Sequence, residues 1–156
     1  MRIYGLQLDI AWEDKSTNYR RIEQLVEELN PEVGSLLVLP EMSCTGFSRN
    51  LAVTAEPMSD DRATGQFYSR LARKHSITLL GGETVLAKSG RGANLCSAWG
   101  PDGGSLTTYQ KTHPFSFGGE SEFFDRGNRL RQFEWNGIRV APYVCYDLRF
   151  PEIFRM

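Results

Sequence analysis

At 156 residues the chain is one ordinary domain, or a portion of a larger one, and is long enough to bury a sizeable core. Its residues are 40% hydrophobic and 24% charged, with 18 Lys plus Arg against 19 Asp plus Glu, so it reads as a soluble globular protein whose charge gives no handle for nucleic acid or an anionic membrane. No apolar run approaches a membrane span, and the apolar start at Met1 to Leu6 meets Gln7 and Asp9 too soon for a signal peptide. Three scattered cysteines (Cys44, Cys96, Cys145) and two histidines (His75, His113) without metal-ligand spacing imply free thiols in a reducing, cytoplasmic compartment and no zinc site.

Arg2 to Ile10 alternates loosely and predicts a first strand. Ser16 or Thr17 can cap a helix to about Asn30, with Ile22, Leu25, Val26 and Leu29 on its apolar face. Ser35 to Pro40 is nearly continuous apolar sequence, the signature of a strand buried on both faces, and it leads straight into Glu41. Met42 to Asp61 has no period and predicts a long loop. Gly65 to His75 predicts a second helix with Phe67, Tyr68 and Leu71 inward, and His75 reads as a surface residue near its end. Beyond Ser76 the pattern becomes strands over Ile77 to Val85, Ala93 to Trp99, Ser105 to Tyr109, Leu130 to Trp135 and Ile138 to Val144. Asn136-Gly137 predicts a tight hairpin between the last two. Alternating strands and helices followed by further strands predict a layered α/β sheet.

Three residues stand out by position: Glu41, Lys111 and Cys145, each at the expected carboxyl end of a strand, where open α/β sheets build their sites. A thiol near its ordinary pKa of about 8.5 needs a base, and a carboxylate can serve. A fixed cation can stabilise a thiolate and later an oxyanion, and the N–H of Tyr146, just after the cysteine, is a natural second oxyanion donor. These groups support acyl transfer without histidine, metal or cofactor. Each also has an ordinary reading: a cysteine in an apolar strand is usually inert core, and a Glu or Lys in a loop is usually solvated. Cys44 and Cys96 keep that ordinary reading.

Three blocks, Leu39-Pro40-Glu41-Met42, Tyr109-Gln110-Lys111-Thr112-His113 and Val144-Cys145-Tyr146-Asp147-Leu148-Arg149-Phe150-Pro151-Glu152, resemble the nitrilase superfamily of carbon–nitrogen hydrolases. The resemblance implies an α-β-β-α sandwich and puts the family's catalytic Glu, Lys and Cys on Glu41, Lys111 and Cys145. It implies a second, positioning glutamate on Glu120, with Glu122 as the alternative. Thr45-Gly46-Phe47-Ser48 and the block after Cys145 look most like the omega-amidase branch. That implies a small-molecule amide substrate, the monoamide of a short dicarboxylic acid, and a homo-oligomer. Arg149 or His113 can face the substrate's free carboxylate, and Arg149 can equally pair with Glu152. The resemblance also implies strands and helices after the cysteine, so residues 1–156 read as the N-terminal portion of a carbon–nitrogen hydrolase domain. Three readings stay open: part of a full enzyme, a short relative that borrows its layers or only binds, and a redox-responsive or structural protein whose Cys145 does not turn over.

Overall fold

The computed structural model describes residues 1–155. In chain order its elements are β1 (Ile3–Gly5), α1 (Lys15–Leu29), β2 (Leu36–Val38), α2 (Leu51–Thr54), β3 (Glu56–Pro57), α3 (Ala63–His75), β4 (Thr78–Leu86), β5 (Gly92–Trp99), β6 (Ser105–Gln110), α4 (Glu120–Phe123), β7 (Phe133–Trp135) and β8 (Ile138–Val140). A six-stranded mixed sheet runs β1-β2-β4-β5-β6, with the short β3 beside β4. Its β1, β2 and β4 are parallel, with Tyr4, Leu37 and Leu79 in register, whereas β4-β5 and β5-β6 are antiparallel.

Side chains alternate across this sheet and so divide the core in two. Leu37, Leu79 and Trp99 face α1 and α3 and pack with Ile22, Val26, Phe67 and Leu71. Leu36, Leu80 and Ala98 face the other way and are covered by Phe133 and Trp135 of the β7-β8 hairpin. The Trp135 indole N–H donates to the Gly34 carbonyl at 3.0 Å, pinning the hairpin to the loop before β2. Asn136 and Gly137 both have positive φ, +50° and +80°, as the expected two-residue turn requires.

Several elements differ from the sequence reading. Arg2 to Ile10 is strand only over Ile3–Gly5, because β2 offers a partner for no more than those residues. The cap of α1 is Asp14, whose carboxylate accepts the Thr17 N–H at 3.0 Å; Ser16 instead donates to Asp14. Ile22 and Val26 of α1 are fully buried, whereas Leu25 and Leu29 stay over a third exposed at the margin of the face. The region from Met42 to Asp61 holds the short α2 and β3 within its loop. His75 is half-buried, and burial first, then the charge of Lys74, lowers its pKa. The last two predicted strands shrink to three residues each, since they pair only with one another. Cys145 therefore does not end a strand: Ala141 to Val144 lead to it without ladder pairing, and Pro142 among them lacks a donor.

Candidate active site

Glu41 leaves the carboxyl end of β2 on a turn spanning residues 41–45. Met42 sits in the left-handed region at φ +45°, and the Thr45 and Gly46 N–H groups both donate to its carbonyl. The turn is held from the helix side. The Tyr68 hydroxyl of α3 donates to the Gly82 carbonyl at 2.8 Å and lies 2.8 Å from Ser43 Oγ, and buried Asn18 of α1 donates to the Cys44 carbonyl at 2.8 Å. On the strand side β4 passes backbone to backbone. A Cβ on Gly82 would lie 2.4 Å from the Met42 nitrogen and 2.6 Å from the Pro40 oxygen, so only glycine fits there.

Lys111 follows β6, and its backbone N–H donates to the Asn94 carbonyl at 2.9 Å. Its side chain is 1% exposed, with Nζ 2.7 Å from Glu41 Oε1 and 2.8 Å from Glu120 Oε2. Glu120, fully buried at the start of α4, also accepts the Phe115 N–H at 2.5 Å. Asn94 of β5 ties the two carboxylates together, its Nδ2 donating to Glu41 Oε1 at 2.7 Å and to Glu120 Oε1 at 2.8 Å. The Phe47 ring lies 5.6 Å from Lys111 Nζ, a cation–π distance. Burial pulls the ammonium's pKa down, but Glu41 and Glu120 outweigh it, and the net value stands above the ordinary one. The lysine is thus a fixed cation at neutral pH rather than a base.

Cys145 lies in the left-handed region, φ +47°, at the first residue of a short 3-10 helix, Cys145–Arg149. A β-carbon is strained there, and such strain gathers at functional turns. The residue is exposed, and it shares with Glu41 a cavity of ≈ 250 Å³ that Gly82, Cys96 and Tyr143 also line. Burial of the sulfur first, then the negative charge of Glu41, push the thiol's pKa up, with Lys111 offsetting part of the rise. The resting thiol therefore keeps its proton beside an acceptor for it. The Tyr146 N–H falls in the helix's first turn, where no intrahelical carbonyl precedes it.

The structure thus brings Glu41, Lys111, Glu120 and Cys145 together. Glu122 is exposed, and its hydrogen bonds are made by its backbone: its N–H donates to the Gly119 carbonyl and its carbonyl accepts from Arg91. Arg149 is exposed and has no ion pair with Glu152 or any other described residue. His113 stacks on Phe150 at 3.8 Å, and its Nδ1 lies 2.9 Å from Asp147 Oδ1. Burial raises the thiol of Cys44 to about 11 and that of Cys96 to about 12. Sequence reasoning missed Asn94 and Asp147. Asn94 sits in an apolar strand, and a polar residue on a buried strand face was the available signal; Asp147 had none apart from its neighbour.

The carbon–nitrogen hydrolase family model matches residues 5–156. Among curated proteins, the omega-amidase YafV of Yersinia enterocolitica is 34% identical over 151 residues, covering 97% of this chain and 56% of the relative. The 2-oxoglutaramate amidase of Bacillus subtilis is 29% identical, covering 96% and 57%. Among solved structures, XC1258 of Xanthomonas campestris, a CN-hydrolase superfamily protein with an arsenic adduct in its active site, superposes with a TM-score of 0.87 at 31% identity, covering 97% of this chain and 55% of that one. The chain therefore spans about 56% of the length of the relatives it matches.

Proposed function

We propose, for a chain that belongs to the carbon–nitrogen hydrolase family, the hydrolysis of a small amide to a carboxylate and ammonia through a thioester on Cys145. The observation that carries this is the buried Lys111 ammonium clamped between Glu41 and Glu120, with Glu41 lining the same cavity as Cys145. Glu41 takes the thiol proton as sulfur attacks the amide carbon. Lys111 and the Tyr146 N–H stabilise the oxyanion, and Glu41 passes the proton to the departing ammonia. Glu41 then activates water, which cleaves the thioester and frees the acid. Glu120 holds Lys111 in place.

The substrate class is the monoamide of a short dicarboxylic acid. Support comes from the omega-amidase and 2-oxoglutaramate amidase relatives. Arg149, exposed and without an ion pair among the described residues, is the partner for the free carboxylate; His113 is already engaged by Asp147. The protein works as a homo-oligomer. The redox reading is disfavoured, because a thiol whose pKa is raised is a poor target for oxidation.

Ammonia release tests the assignment. A dicarboxylic monoamide should turn over with kcat/KM about tenfold or more above butyramide, which lacks the carboxylate. Cys145→Ala should reduce release to background. Turnover by that variant would overturn the role of Cys145, and equal rates on the two amides would overturn the substrate class.

A further inference from the structure

Asp147 is fully buried, two residues after the nucleophile, and its carboxylate collects five donors. Oδ1 accepts the Thr112 hydroxyl, the His113 backbone N–H and, when that nitrogen carries its proton, His113 Nδ1, each at 2.9 Å. Oδ2 accepts the Tyr109 hydroxyl at 2.7 Å and the Val144 N–H at 3.0 Å. The donors come from two places only. Tyr109, Thr112 and His113 flank Lys111 along the end of β6, and Val144 immediately precedes Cys145. The Thr112 N–H in turn donates to the Tyr109 hydroxyl at 3.2 Å, closing the chain around the lysine into a loop about this carboxylate.

No ladder pairing holds the approach to Cys145, because β8 ends at Val140. The strained φ of +47° at Cys145 persists only if its surroundings impose it. Asp147 supplies that constraint from both sides. Its own N–H donates to the Val144 carbonyl at 3.0 Å while its side chain accepts the Val144 N–H, so the turn around Cys145 is clamped twice. A carboxylate offers about four lone-pair sites and no donor, which suits a cage made of donors alone; an amide of the same shape presents hydrogens to one half of it.

We propose that Asp147 is a positioning residue that sets the separation of Lys111 from Cys145 by anchoring both chain segments to one buried carboxylate. This rests on the amidase reading of the site. It acts through the backbone and touches neither the substrate nor the reacting atoms. The expected consequence of loosening it is misplacement of sulfur relative to the cation and to Glu41, and a displacement near 1 Å costs about a hundredfold in rate.

The test compares wild type, Asp147→Asn and the milder Tyr109→Phe, which removes one donor and keeps the ring. Each is measured by ammonia release, by thermal melting, and by the pH-rate profile of Cys145 alkylation with iodoacetamide. Asp147→Asn should lower kcat about a hundredfold with KM changed less than about threefold. Its alkylation midpoint should move down toward the ordinary thiol value of about 8.5, since the sulfur leaves the neighbourhood of Glu41. Tyr109→Phe should shift both readouts in the same direction by less. A folded Asp147→Asn with wild-type kcat and an unmoved alkylation midpoint would overturn the proposal, because a scaffold role alters melting alone. If Asp147→Asn does not fold, Tyr109→Phe decides on the same two readouts. Should wild type release no ammonia from any amide, the amidase reading fails while the alkylation midpoints still judge the role of Asp147.

Discussion

At the scale of single residues, the site is organised by how charge is divided among four groups, Glu41, Lys111, Glu120 and Cys145. Lys111 carries a positive charge between two carboxylates, and Cys145 keeps its proton because burial and Glu41 oppose the thiolate. In the proposed reaction, attack on a substrate is coupled to loss of the thiol proton to Glu41. Glu41→Gln should separate the two roles. Removing the carboxylate takes away a cause that raises the thiol's pKa and leaves the lowering by Lys111. Alkylation of Cys145 by iodoacetamide should therefore reach half its maximal rate at a lower pH than in wild type. Ammonia release should fall by about a hundredfold or more, as expected for loss of a general base. An alkylation midpoint that rises in Glu41→Gln would contradict this division. The identities of Glu41, Lys111 and Cys145 were legible in the sequence, because each follows an apolar run and the three blocks resemble one family. Asn94 showed only as a polar residue in an apolar strand pattern, and nothing local says that it will meet two carboxylates from distant segments.

At the scale of elements, the helices and the loops near the site are tied by buried polar groups. Glu56 of β3 accepts Lys15 Nζ at 2.9 Å from the start of α1, and both the N–H and the hydroxyl of Thr64, at 3.0 Å and 2.6 Å, from the start of α3. Burial alone would raise its pKa, but the Thr64 bonds and Lys15 outweigh that, and the folded value lies below the ordinary glutamate range. The unfolded chain thus binds the proton more readily. The stabilisation is present above an unfolded pKa of about 4.3 and is lost as pH falls through the lower folded value. Glu56→Gln should cost about 1–3 kcal/mol at pH 7, measured by urea unfolding. The gap to wild type should shrink as pH drops below about 4; a gap independent of pH would argue that packing, not charge, carries the effect. The lengths of β7 and β8 could not be read in advance. Their apolar patterns continue past the residues that pair, and pairing depends on a neighbour that the pattern does not specify.

At the scale of the whole molecule, the turn bearing Cys145 emerges into an aromatic surface. Phe117, Phe115, Tyr146 and Phe150 form a continuous series of ring contacts that ends on His113, and Tyr143 meets Phe154 at 4.6 Å. Around them Phe117 is 87% exposed and Leu148 74% exposed. Apolar groups gathered in this way mark contact surfaces. In sedimentation experiments this 156-residue chain, 17.7 kDa as a monomer, should run at a higher mass, and Leu148→Asp should shift it toward the monomer mass. A monomer at all concentrations in wild type would remove this face as the contact. Among the described residues, no helix is long and apolar enough to cross a membrane.

What the sequence by itself determined is the alternation of elements and the chemistry they present. Periodicity marks α1, α3 and the sheet strands because burial of one face is a local property of the pattern, and the three reactive residue types are fixed by identity. What only the tertiary structure decided is who meets whom. Glu120 rather than Glu122 faces Lys111 because α4 turns one residue into the core and the other to water. Cys145 is presented by a strained turn, and not by a strand end, because β8 runs out of partners at Val140. Asp147 becomes a junction only when the end of β6 and the approach to Cys145 are brought together. Such contacts join residues far apart along the chain, and hydrogen-bond geometry exists only once the fold has set their distances.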